Sequence, residues 1–437
     1  MSELLLRGRT LSFTRWPESA DDLAACRYEE DGGVLVRDGR IVAAGGYAEV
    51  ARQGGAGAQT VDHRPHLILP GFIDAHVHVP QMQIIASYGA ELLDWLNTYT
   101  FPEETRFFNP QHGRRIARLF LDEMVRQGTT TVAAYCSVHK ESAEAFFAEA
   151  AERNMLVIAG KVMMDRNAPD GLRDTPQSGY DDTKALISAW HGKGRALYAV
   201  TPRFAITSTP EQLEMAGALV AEHPDCHTQT HLSENHAEIA FTQELYPWSK
   251  DYTDVYERYG LLGGKALFGH CIHLSEREAD ALSASGSVAV FCPTSNLFLG
   301  SGLFDYQRYR RREKPVKIAT ATDVGGGTNY SMLRTMDEGY KVIAQHGEKL
   351  NPLASFWQLT AGNAAALSIE DRVGRLEAGK EADMVVLNAG ATPAMRLRKE
   401  RVATLAEELF LLQTLGDDRT VVETYVAGSP AKSALPA

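Results

Sequence analysis

Apolar positions along this chain follow two patterns, and the change between them divides it into three parts. Up to about His66 the apolar runs are short and separated by turn residues. Val34–Arg37 and Arg40–Ala43 are β-rich and flank Asp38-Gly39, a dipeptide that favours a two-residue hairpin. The other end has the same character, in Ala382–Leu387 and Val421–Gly428. Neither end holds enough apolar surface for its own core. The pattern therefore predicts a small flanking β-sandwich built from both termini, residues 1–66 and 376–437.

Between them, over residues 67–375, strand-like runs alternate with helical ones. Apolar runs recur at Leu67–Val77, Thr129–Ser137, Met155–Val162, Ala196–Phe204, Cys226–His231, Ala266–Ile272, Ser287–Cys292 and Val316–Thr322. Gln111–Gln127 places Ile116, Leu119, Phe120 and Met124 on one helical face and stops at Gly128. Thr209–Gln212, with Pro210 at the first helical position, and Ser275–Glu278 read as capping boxes. Near-continuous apolar strands indicate a sheet buried on both faces. Eight such units in this length fit an α/β fold of the (β/α)8 barrel type better than an open sheet.

Bulk composition narrows the function. A net charge of -12 argues against a nucleic-acid surface, which is normally basic. Hydrophobic and charged fractions of 44% and 23% are those of a soluble globular protein. The five cysteines, Cys26, Cys136, Cys226, Cys271 and Cys292, form no C-x-x-C pair, so buried thiols in a reducing cytoplasm are the expectation. The N-terminal segment reads as neither a secretory signal nor a membrane span, and no membrane partner is expected.

The candidate chemistry sits at the ends of the predicted strands. His78 closes the first run, Arg203 and Phe204 the fourth, and His231 the fifth; His270 lies at the end of the sixth and Asp323 follows the eighth. In a barrel those ends converge on one face, where catalysis occurs. His76 and His78, two apart on a strand, point to the same side. With His231 and Asp323 they form a three-nitrogen, one-oxygen set that suits one Zn2+ or another divalent first-row ion. Glu234, three residues after His231, is placed to act as general acid/base, and His270 and Asp323 to orient a water. Each residue also has a plainer reading: a core histidine, a loop aspartate, a solvated or helix-capping glutamate. Their joint occurrence at predicted strand ends favours the site.

These residues lie in PGFIDAHVH, HLSEN, GHC and TD, and the chain resembles the amidohydrolase superfamily. Within it, Leu92–Glu104, Val200–Phe204, Leu245–Tyr256, Cys292–Gly302 and Thr322–Leu333 resemble the guanine deaminase family, over nearly the whole chain. The resemblance implies a barrel with a flanking β-sandwich, zinc on His76, His78, His231 and Asp323, Glu234 as proton shuttle and His270 supporting the attacking water. It implies contacts to a purine base, guanine, from Gln81, Arg203, Phe204, His231 and Glu234. Water would attack C2 and yield xanthine and ammonia. The guanidinium of Arg203 offers only donors, which suits the C6 carbonyl of guanine and not the amino group of adenine. A homodimer is likewise implied by the resemblance alone, beside the cytoplasmic location expected from the cysteines.

Other readings stand beside this one. Another aminated heterocycle, such as 8-oxoguanine or a triazine, fits the same metal set. A non-catalytic barrel scaffold fits less well, because such proteins usually lose metal ligands. His236-Ala-Glu238 mimics the start of a different zinc-deaminase motif, but the required P-C-x-x-C is missing from the sequence. The end of the fourth run has no lysine to bridge two metals, and Lys161 sits on the third run, so one metal is expected.

Overall fold

A computed structural model describes residues 3–55, 57–88 and 91–435. The terminal segments form one seven-stranded mixed sheet. It contains β1 (Glu3–Phe13), β2 (Cys26–Arg37), β3 (Arg40–Gly46) and β4 (Gln59–Pro70). The barrel follows as β5 (Phe72–His78), β6 (Thr129–Tyr135), β7 (Leu156–Gly160), β8 (Val162–Met163), β9 (Ala196–Pro202), β10 (His227–Leu232), β11 (Ala266–His270), β12 (Val288–Phe291) and β13 (Lys317–Thr320). The terminal sheet is completed by β14 (Met384–Leu387), β15 (Val421–Val426) and β16 (Ser429–Pro430). The expected β2–β3 hairpin forms with both Asp38 (φ +50°) and Gly39 (φ +78°) in the left-handed region, as a type I′ turn requires.

Barrel strands run parallel in the order β5-β6-β7-β9-β10-β11-β12-β13, and the short β8 adds to β9. Every residue of β5, β6, β10 and β11 is buried, consistent with a sheet covered on both faces. β13 and β5 meet beyond the end of β13, where Asp323 N donates to His76 O at 2.9 Å and His78 N to Val324 O at 3.3 Å. Deeper in the seam the Asn363 side chain does the joining. Its Nδ2 donates to Ile73 O (2.7 Å) and Thr320 O (2.8 Å), and its Oδ1 accepts from Thr320 N (2.9 Å).

The structure corrects three sequence expectations. The run Leu67–Val77 is not one strand: Leu67–Pro70 belong to β4, paired with β14 in the terminal sheet, and Gly71 separates them from β5. The boundary at residue 67 therefore shifts past Pro70. Residues 376–437 are not all part of the β-domain, because the helix Leu405–Leu415 packs on the helix Met332–Gln345 and Gln413 Nε2 donates to Met336 O at 3.2 Å. Leu119 is exposed, while Ala117 and Leu121 are buried beside Ile116, Phe120 and Met124. The helix Pro110–Arg126 is covered across a wider arc than one narrow stripe, by the terminal sheet as well as neighbouring helices.

Of the two capping boxes, Ser275–Glu278 is reciprocal, whereas Thr209 accepts from Gln212 N and the Gln212 amide turns to Asp174. Arg195, buried just before β9, ties the two parts of the molecule together through Glu381 and Asp383 of the terminal region. Among the described residues no helix is long and apolar enough to cross a membrane. Replacing Asn363 by Leu leaves buried peptide groups on β5 and β13 unpaired. A loss of about 3 kcal/mol in unfolding free energy is expected, measured by urea denaturation.

Candidate active site

Three imidazoles meet at the C-terminal mouth of the barrel. His76 and His78 point inward from the end of β5, and His231 faces them from β10. The Nε2 atom of His78 lies 3.2 Å from that of His76 and 3.1 Å from that of His231. Burial pushes all three imidazoles well below their ordinary pKa, and neighbouring rings add to the effect, so they are uncharged. His231 Nδ1 lies 2.7 Å from Arg203 O, a carbonyl that can only accept. Its proton is therefore on Nδ1, and Nε2 presents a lone pair to His78. One N–H on His78 could satisfy only one of its two neighbours. A shared cation satisfies all three, since bonds of about 2.0–2.1 Å to one ion put the nitrogens roughly 3.3 Å apart. Asp323 Oδ1 is 3.5 Å from both His76 and His78 Nε2 and adds an anionic oxygen. This donor chemistry fits a divalent ion.

The local backbone is shaped to deliver these groups. Ser233, His270, Cys271 and Asp323 all have φ between +50° and +72°, a region that costs a residue with a Cβ about 1–2 kcal/mol. Cross-strand bonds hold them there, including Cys271 N to Leu232 O at 2.9 Å. Asp74, fully buried, accepts from Thr322 N at 3.0 Å and from the Thr322 hydroxyl, and so fixes the approach to Asp323. Gly269 lies against His76: an added Cβ would be 2.7 Å from the imidazole Cε1.

Glu234 lies beside the histidines, buried. Its Oε1 accepts from Ser301 Oγ at 3.0 Å, and its Oε2 is 3.3 Å from His270 Nε2. Burial raises the Glu234 carboxyl to about 7, and the Ser301 hydroxyl opposes that rise. Asp323 is likewise pushed up to about 7 by burial, with His270 pulling the other way. His270 Nδ1 lies 2.9 Å from Asn296 Oδ1. Glu238 instead caps its own helix reciprocally with Asn235 and accepts from Glu234 N at 2.8 Å, which accounts for the misleading H-x-E pair. Lys161 pairs with Asp174 at 2.6 Å and with Val162 O, and does not line the cavity.

The cavity beside this cluster is walled by Gln81, Arg203, Phe204, Leu92, Trp95, Leu96 and Leu299. All the residues singled out from the sequence thus lie around one cavity, with His76 just behind its wall. Four further residues were not singled out. Glu104 accepts from Gln81 and Arg203, Asn296 holds His270, Ser301 holds Glu234, and Trp95 contributes a buried indole. All four lie in Leu92–Glu104 or Cys292–Gly302, segments that carry the family resemblance. Hydrophobic periodicity carries no signal for Glu104, Asn296 and Ser301, because each is defined by a contact remote in sequence.

A family model described as "Amidohydrolase family" matches residues 67–430. A guanine deaminase from Escherichia coli is 45% identical over 424 residues, covering 97% of this chain and 96% of that protein. The solved structure of E. coli guanine deaminase superposes with a TM-score of 0.95, covering 98% of this chain and 99% of that one, at 44% identity. Guanine deaminase from Bradyrhizobium japonicum gives 0.94 at 39% identity, covering 98% and 99% of the two chains. Guanine deaminase from C. acetobutylicum, solved with bound guanine in its active site, gives 0.86 at 29% identity, covering 98% and 100%. The chain belongs to the amidohydrolase family and, within it, to the guanine deaminases.

Two tests follow from the packing. Gly269→Ala displaces His76, and metal affinity is expected to fall at least about tenfold in competition with a chelating dye. Ser301→Ala removes the bond that opposes the raised pKa of Glu234. The acid limb of the pH profile for kcat/KM is therefore expected to move to higher pH, because a base must be deprotonated to act.

Proposed function

We propose that this protein hydrolyses guanine to xanthine and ammonia, with His76, His78, His231 and Asp323 holding one divalent ion, best suited by zinc. The reading is carried by one observation: three uncharged imidazole nitrogens converge beside a buried carboxyl, Glu234, in a cavity that also presents Arg203 and Gln81. The pairing of Lys161 with Asp174, and the lack of a lysine among the described residues of the cavity wall, favour a single ion. Bound there, such an ion supplies the Lewis acidity that makes water nucleophilic near neutral pH.

The chain's own groups do the rest. Arg203, through the guanidinium hydrogens not committed to Glu104, donates to the C6 carbonyl. Phe204 and Trp95 close over the flat ring and exclude bulk water. Glu234 takes the proton of the attacking water and passes it to ring N3 as the water oxygen bonds to C2. His270, held by Asn296, steadies the water oxygen and the Glu234 carboxyl. The remaining proton of the former water, now on the C2 hydroxyl, is then passed to the 2-amino group; the C–N bond breaks, ammonia leaves and the C2 oxygen becomes the carbonyl of xanthine. Burial favours the protonated form of Glu234, which suits a carboxyl that must both take up and give back a proton.

The test is to incubate metal-replete protein with guanine and follow xanthine and ammonia, with adenine and 8-oxoguanine in parallel. Turnover of guanine, loss of activity to a chelator and recovery with added zinc are expected. Failure on guanine with fast turnover of another base would overturn the assignment. Glu234→Gln is expected to lower kcat by about 10²–10⁴ with metal content unchanged.

A further inference from the structure

Glu104 has no part in the steps above, yet it is only 1% exposed and both of its oxygens are spent on residues of the cavity wall. Arg203 Nη1 donates to Oε1 at 3.0 Å and to Oε2 at 2.8 Å, and Gln81 Nε2 donates to Oε1 at 2.9 Å. The same short helix, Phe101–Thr105, supplies Phe101, whose ring centroid is 5.5 Å from the Arg203 guanidinium carbon. Ser137 Oγ anchors the segment by donating to Glu104 O at 3.0 Å.

A carboxylate paired with a guanidinium accepts hydrogen bonds and cannot donate them. Gln81 must therefore turn its amino group towards Glu104, which leaves its Oε1 on the opposite side. That oxygen packs against Gly325, where φ is +123° and an added Cβ would lie 2.0 Å from Oε1. Gln81 and Arg203 both line the cavity, so donors from Arg203 stand there beside a Gln81 amide whose oxygen is turned away from Glu104 and left free to accept. The carbonyl at C6 and the N–H at position 1 of guanine present the complementary pair, an acceptor next to a donor. A 6-aminopurine presents the reverse.

We infer that Glu104 is a positioning residue that sets substrate specificity, aligning Arg203 and locking the Gln81 amide so that the cavity reads a lactam edge. The inference rests on the guanine reading above. A carboxamide at position 104 has a donor of its own, releases the lock on Gln81 and leaves Arg203 without its charge partner.

The probe is 2,6-diaminopurine, which keeps the 2-amino group but carries an amino group at C6. Wild type, Glu104→Gln and Glu104→Asp are compared on guanine and 2,6-diaminopurine, by kcat and KM, or by Ki where turnover is undetectable. Bound metal is measured alongside. Glu104→Gln is expected to keep its metal, to raise KM for guanine, and to shrink the preference for guanine at least about tenfold. Glu104→Asp, which keeps the charge but withdraws the oxygens, is expected to shift the preference less, in the same direction. Unchanged preference in a metal-replete Glu104→Gln protein would overturn the inference, as would an equal loss on both bases, which marks a merely structural role. Should Glu104→Gln fail to fold, unchanged preference in Glu104→Asp would overturn it. A wild type inactive on guanine would instead sink the functional reading, and this inference with it.

Discussion

Three uncharged imidazoles bring their Nε2 atoms together in this barrel, 3.1 and 3.2 Å apart across successive contacts, and one N–H on the middle ring can satisfy only one of them. Nothing within the cluster can relieve all of those contacts at once. The surrounding structure holds the rings in place. The backbone carbonyl of Arg203 takes the Nδ1 proton of His231 and so aims its other nitrogen inward. Gly269 leaves the room that His76 occupies. Asp74 and Asn363 bind the first and last barrel strands together, so that His76, His78 and Asp323 keep their spacing.

Around that cluster the work is divided among different strand ends. The segment after β10 brings Glu234, and the end of β11 brings His270. One stretch after β12 steadies both, since Asn296 bonds His270 and Ser301 bonds Glu234. Elsewhere on the cavity wall Gln81 and Arg203 form one buried network with Glu104. The Glu234–His270 pair and the Gln81–Glu104–Arg203 network thus have separate side-chain partners. The left-handed backbone at Ser233, His270, Cys271 and Asp323 is the conformational cost of bringing so many side chains to one point.

Much of this was legible in the chain itself. Strand alternation puts His76 and His78 on one side without any tertiary knowledge, and buried parallel strands show as unbroken apolar runs. Motif spacing was enough to bring His231, His270 and Asp323 to the same face once a barrel was assumed. Less was legible where an apolar run crossed a domain boundary. Leu67–Pro70 look no different from β5, yet they pair with β14. Leu119 looked like a core residue because helical periodicity finds a face but not what covers it.

What the sequence determined by itself is therefore the set of chemical groups and the strand ends that carry them, because both depend on local spacing. What only the tertiary structure decided is which polar residues face which. Glu103 and Glu104 are adjacent and chemically alike. One pairs with Arg106 near the surface, and the other receives Arg203 from 99 positions away in the core. Hydrogen bonds between remote strands leave no period in a sequence, since direction and distance are fixed only when the barrel closes.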